Sequence, residues 1–176
     1  MDKKFPNGKK RARTWRCRMA GAAAAGVLML TAGFAPAAMA DWYFGANTGP
    51  MLIDSAGVSD PVNAGIMLGR EWSVVAGDIG VQGEFTTTID DGAYAGQKVS
   101  VDTQAVYGVF RTAGAFYLIA KAGLLREKVK IGAASDSETG SALGLGMGFS
   151  LGLAQLELEY TQVEKDIAYL SLGVRF

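Results

Sequence analysis

The sequence predicts an all-β protein, with eight antiparallel strands wound up and down into a closed barrel. Three observations lead there. Beyond residue 40 apolar residues recur with a period of two; no long segment carries a helical period; and the connections between strand-like segments alternate between long polar stretches and short turns. Strict alternation marks a strand with one apolar face.

The first 40 residues are set apart before the strands are assigned. Lys3, Lys4, Lys9, Lys10, Arg11, Arg13, Arg16 and Arg18 face a single acid, Asp2, and an apolar stretch follows from Met19 to about Phe34. It ends in Ala-Pro-Ala-Ala-Met-Ala, where Ala38 and Ala40 are the small residues flanking Met39. A basic region, an apolar region and an A-x-A site predict a secretory signal peptide over 1–40, removed on export. The competing reading is a membrane anchor, against which stand the Ala and Gly content and Pro36. Without these residues nine basic and sixteen acidic side chains remain, a net charge of −7. Such an acidic chain is a poor nucleic-acid binder. Cys17 is the only cysteine, so the mature chain has no disulfide to stabilise it.

The strands follow in order. The first is expected over 42–50, with Trp42, Phe44, Ala46 and Thr48 on one face. The second, 63–72, gives Ala64, Ile66, Leu68 and Trp72. The third, 78–88, sets Ile79, Val81, Gly83 and Phe85 against Gly80, Gln82, Glu84 and Thr86. For the fourth, 98–110, the apolar row is read as Val99, Val101, Ala105, Tyr107 and Val109. The fifth, 115–129, gives Phe116, Leu118, Ala120, Ala122 and Leu124. In the sixth, 141–151, Leu143, Leu145, Met147, Phe149 and Leu151 back onto Gly144, Gly146 and Gly148. The seventh, 154–163, alternates most strictly: Leu156, Leu158 and Tyr160 against Gln155, Glu157, Glu159 and Thr161. The eighth, 167–176, gives Ala168, Leu170, Leu172, Val174 and Phe176. Segments 54–62, 89–97 and 130–140 are long and polar, whereas 73–77, 111–114 and 152–153 are short; 164–166 is short although it belongs with the long set.

A soluble barrel or sandwich would bury the apolar row and wet the polar one. Two features point the other way. Once strand direction is taken into account, Trp42, Phe44, Trp72, Tyr107, Phe116, Phe149 and Phe176 fall at one level, near the short turns. That is a girdle at a membrane interface, where amphipathic rings are favoured. The polar row is also crowded with glycine, including Gly45, Gly65, Gly69, Gly80, Gly108, Gly123 and Gly173. The interior of a small barrel needs small or mutually paired residues, whereas glycine on a solvated face would only weaken the strands. The expectation is therefore a transmembrane barrel over 41–176, closed because hydrocarbon satisfies no open sheet edge.

The opening Asp41-Trp-Tyr-Phe-Gly-Ala and the closing Tyr169-Leu-Ser-Leu-Gly-Val-Arg-Phe176 resemble the small outer-membrane β-barrel families: the OmpA-like membrane domain, OmpX and the opacity-type porins. The closing segment is similar to their C-terminal assembly signal, with Gly173, Val174 and Phe176 as its glycine, apolar and aromatic positions. Ser171 is the polar position, one residue further off than the tightest form of the pattern. The resemblance implies recognition by the barrel-assembly machinery and a place in the bacterial outer membrane, among its lipids and lipopolysaccharide.

Lys121 points inward by parity with Gly123, and Glu157 and Glu159 point inward two strands on, with the glycine row between. These are expected to form an internal charge network, joined by Glu84 and Arg175. Buried charges persist only when paired. The network is read first as a plug and, as the alternative, as the gate of a narrow ion passage. No catalytic residue or cofactor is expected. Barrels of this size that modify lipid A use a histidine with a serine and a carboxylate, and this chain has no histidine. A soluble periplasmic binding barrel is the remaining class. Segments 54–62, 89–97 and 130–140 are the candidate contacts for an extracellular ligand. Asp54, Asp60, Asp90, Asp91, Asp136 and Glu138 make them acidic, in a spacing that fits no defined metal loop. Lys98, Lys128 and Lys130 near the outer strand ends are placed to meet lipopolysaccharide phosphates.

Overall fold

The structure is a computed structural model describing residues 40–55, 57–164 and 167–176. The expected signal peptide, with Ala38, lies outside the described residues, apart from Ala40. Nine strands follow: β1 (Asp41–Ile53), β2 (Val62–Val74), β3 (Gly77–Asp90), β4 (Gly92–Tyr94), β5 (Gln97–Thr112), β6 (Phe116–Ile131), β7 (Ala134–Leu151), β8 (Ala154–Glu164) and β9 (Ile167–Arg175). All but β4 form one antiparallel ring, β1–β2–β3–β5–β6–β7–β8–β9, closed by β9 pairing back onto β1. The eight predicted strands are these eight, most of them a few residues longer.

The closing seam is specific. The Phe44 amide donates to the Phe176 carbonyl at 3.1 Å, and the Phe176 amide donates back at 2.8 Å. The two rings stack at 5.5 Å. The ladder runs through Thr48↔Leu172, breaks, and resumes at Met51↔Tyr169. Pro50 sits in the break and has no amide hydrogen to donate. Gly49 lies so close to the Leu170 carbonyl that a Cβ there would clash with backbone.

Outward and inward rows alternate along the wall. Phe44, Ile66, Leu68, Phe85, Leu118, Leu124, Leu143, Leu145 and Leu172 are exposed. Their inward neighbours Asn47, Met67, Glu84, Lys121, Ala142 and Ser171 are buried. An outer surface so apolar is the wall of a barrel that faces lipid.

β5 corrects the sequence reading. Its inward row is Val99, Val101, Thr103, Ala105, Tyr107, Val109 and Arg111; the outward row is Lys98, Ser100, Asp102, Gln104, Val106, Gly108 and Phe110. Tyr107 is 2% exposed and therefore not part of the girdle, whereas Val106 is 59% exposed. Gly108, expected inside, lies outside. The reason is vertical. Near the long-loop end the lumen holds an apolar cluster of Met51, Val101, Leu125, Ala142, Val163 and Tyr169, which the valines of β5 join. Lys98, Ser100, Asp102 and Gln104 face outward above the apolar band, so the more apolar of the two rows belongs to the core.

The segment 130–140 is also not a loop. β6 and β7 stay paired to Ile131↔Ala134, leaving a two-residue turn at Gly132 and Ala133. Above the bilayer both faces of a strand are wetted, so its period-two signal disappears. Segment 89–97 likewise holds β4, joined to β5 through Ala95 and Gly96, both at positive φ (49° and 78°) as a type I′ turn requires. β7 pairs with β8 only from Leu143, and β3 with β5 only to Thr86↔Thr103. A sheet of β4–β5–β6–β7 therefore rises beyond the ring.

A closed barrel of this kind resists detergent until heated. Unheated samples in a denaturing gel should migrate differently from boiled ones. Identical mobility would contradict the fold.

Candidate functional site

The candidate site is the lower half of the lumen, toward the short turns. Alternate positions of the strands aim their side chains at it, and glycines opposite give them room. Lys121 on β6 lies against Gly144 of β7. A Cβ at 144 would fall 2.7 Å from Lys121 Cγ and 2.8 Å from Cε. Gly148 and Gly69 leave space for the rings of Tyr117 and Tyr43 in the same way.

Two groups of charges result. In the first, Lys121 Nζ lies 2.8 Å from Glu159 Oε2 and 3.2 Å from Glu84 Oε2. It also sits 4.6 Å from the Tyr107 ring centroid, in a cation–π contact. Asn47 Nδ2 and Gln82 Nε2 each donate to Glu84 at 3.2 Å. In the second, Arg111 Nε donates to Glu157 Oε1 at 2.9 Å, and Arg175 Nε lies 3.3 Å from the same oxygen. Tyr117 donates its hydroxyl to Glu157 at 2.9 Å. Arg175 Nη1 also donates to Glu71 Oε2 at 2.7 Å. Both guanidinium groups lie over the Tyr43 ring, 5.0 and 4.6 Å from its centroid. Gln82 links the groups, accepting from Tyr43 at 2.9 Å and from Arg111 Nη2 at 3.1 Å while donating to Glu84.

Glu84, Lys121, Glu157, Glu159 and Arg175 thus all face the lumen but form two groups. Lys121 pairs with Glu84 and Glu159; Glu157 is held by the two arginines. Sequence reasoning missed Arg111, Glu71, Tyr43, Gln82 and Tyr117. Arg111 falls in the segment 111–114 that reads as a turn, and the inverted parity of β5 hides its direction. Glu71 carried a usable signal, since it shares the inward parity of Gly65 and Gly69.

The remaining predicted positions lie in the wall. Trp42, Phe44, Phe116, Phe149 and Phe176 are exposed near the short-turn end, and Trp72 is half-buried. Phe110 occupies the outward position on β5 that Tyr107 does not. Arg70 lies 5.6 Å from the ring centroids of both Trp42 and Trp72. In the C-terminal segment Ser171 and Gly173 point inward, Val174 is a half-buried wall residue, and Phe176 stacks on Phe44. On the outer hairpins Lys98 pairs with Asp91 at 2.8 Å, which holds its ammonium above the ordinary lysine range. Lys130 pairs with Asp102 at 3.0 Å.

Fold and interior together define a small eight-stranded barrel of the outer-membrane type. Among solved structures it is similar to Ail, the attachment invasion locus protein of Yersinia pestis, in complex with the heparin analogue sucrose octasulfate. The two are 18% identical, with 78% of this chain and 97% of that one covered and a TM-score of 0.52. Neisserial surface protein A is 15% identical, with coverages of 77% and 97% and a TM-score of 0.52. The N-terminal β-barrel domain of Pseudomonas aeruginosa OprF is 12% identical, with coverages of 77% and 96% and a TM-score of 0.51. At these identities the likeness is one of fold. No family model and no curated protein sequence matches the chain.

Replacing Lys121 with Met should leave Glu84 and Glu159 facing each other without their cation. A loss of roughly 3–5 kcal/mol is expected, read as an earlier midpoint of urea unfolding in lipid vesicles. A midpoint unchanged from the parent would show that the ion pairs do not hold the interior together.

Proposed function

We propose that the chain is an exported, non-catalytic outer-membrane barrel with an occluded interior, acting through the sheet it raises above the membrane. The observation that carries this reading is the filling of the lumen at two levels. Below lie the paired charges of Lys121, Arg111 and Arg175 with their glutamates. Above lies an apolar layer in which Met51, Val99, Val101, Leu125 and Val163 are each at most 3% exposed. An ion crossing would have to displace both layers, and the few polar groups in the upper one, Asn63, Thr86 and Thr103, are already hydrogen-bonded to one another, leaving little to offset lost hydration.

The absence of histidine rules out a serine-histidine-carboxylate triad of the kind that modifies lipid A and favours a non-catalytic role. The working surface is then the projecting β4–β5–β6–β7 sheet and the 54–61 connection. Ail, a structural neighbour, is known in complex with a heparin analogue. A sulfated sugar needs cations, however, and the tips here carry Asp54, Asp60, Asp90, Asp91, Asp136 and Glu138. That ligand class is not carried over to this chain.

Planar-bilayer recording separates the plug from a gated passage. The parent barrel and Lys121→Ala should both be silent at moderate voltage, with the variant less stable. Stepwise conductance appearing in Lys121→Ala would replace the plug with a gate.

A further inference from the structure

We infer that the β5–β6 wall carries a docking site for a phosphorylated glycolipid of the outer leaflet, with Arg126 and Lys128 as the phosphate ligands. This rests on the outer-membrane reading above and adds a named partner and place. Both cations point outward and are exposed on β6, two and four residues beyond Leu124, which ends the apolar row of that strand. At about 3.4 Å per residue and a strand tilt of about 40°, Arg126 stands roughly 5 Å higher than Leu124, at the upper edge of the apolar band, in one register row with Gln104 and Phe85. Neither cation has an ion-pair partner among the described residues, unlike Lys98 and Lys130 on the same sheet. The nearest outward acid, Asp102, is already engaged by Thr87 at 2.7 Å and by Lys130.

The surface beneath fits an acyl chain. A groove of about 820 Å³ runs sideways from Arg126 and Lys128 past Thr87, Asp102 and Gln104 to Phe85 and Ile66. Two rows further down the wall a second hollow, of about 680 Å³, exists because Gly108, Ala120 and Ala122 are small, while Phe110 and Leu145 stand at its sides. In the register between them, Val106 pairs with Leu124. Cations at the rim with an apolar trough below match an amphiphile that carries phosphate on its headgroup and long chains beneath. Free phosphate would use only the rim. On β8 and β1 the outward positions Gln162 and Leu52 carry no charge. Each basic side chain near a charged membrane surface contributes about a fivefold gain in binding.

The test uses the refolded mature chain in phosphatidylcholine vesicles containing fluorescent lipid A with both phosphates. Arg126→Gln combined with Lys128→Gln should weaken association at least tenfold, whereas Arg70→Gln, at the opposite rim, should leave it unchanged. Dephosphorylated lipid A should bind the parent as weakly as the intact lipid binds the double variant. Equal binding by parent and double variant overturns the site, as does equal displacement by phosphatidylglycerol or by inorganic phosphate. The heat-dependent gel shift is read on the same samples. Its retention with unchanged lipid binding sinks this inference alone; its loss in the parent sinks the membrane reading and this one with it.

Discussion

A wall surrounded by hydrocarbon cannot leave a strand edge unpaired, and the rest of this structure follows from that constraint. It forces β9 back onto β1, and the Phe44–Phe176 pair fastens the join with two backbone hydrogen bonds and a ring stack. Closing the sheet at eight strands leaves an interior wide enough for side chains and little else. The composition of the inward row then becomes a packing problem with charges in it. Glycine solves part of it, since Gly144 and Gly148 stand where Lys121 and Tyr117 need room.

The lumen solves its electrostatics by level. Near the short turns, long charged side chains reach across and find opposite charges, with Gln82 and Tyr43 joining the two groups. Replacing such pairs with apolar residues of similar volume need not destabilise a protein, but removing one partner does. Toward the outer rim the inward rows become largely aliphatic and aromatic, with Asn63, Thr86 and Thr103 hydrogen-bonded among them. The result resembles a soluble core enclosed by a lipid-facing wall, and it supports the β-sheet that continues above the membrane.

Much of this was legible before any coordinates. All eight barrel strands announced themselves by alternation, because in most of them one row meets lipid and the other does not. Alternation failed where both rows have apolar members. In β5, Val99, Val101 and Val109 compete with Val106 and Phe110, and the inward row is the more apolar of the two. Reading that row as lipid-facing misplaced Tyr107 and concealed Arg111. Alternation failed again above the bilayer, where water on both faces removes the contrast and β6–β7 reads as a polar loop. Lys121, Glu157 and Glu159 were found by parity alone. Glu84 and Arg175 were named with them, but not which cation holds which acid, because pairing depends on stagger between strands, and a 2.8 Å contact between Lys121 and Glu159 is a product of register.

β5 is also the place to test the central claim that the greasier wall row faces lipid while the filled row faces the lumen. Nitroxide labels placed singly at 106 and 107, in vesicles, report on their surroundings through collision with oxygen, which partitions into hydrocarbon. The label at 106 should show frequent oxygen collisions and the label at 107 few. Frequent collisions at 107 with few at 106 would turn this strand inside out and, with it, the account of what fills the barrel.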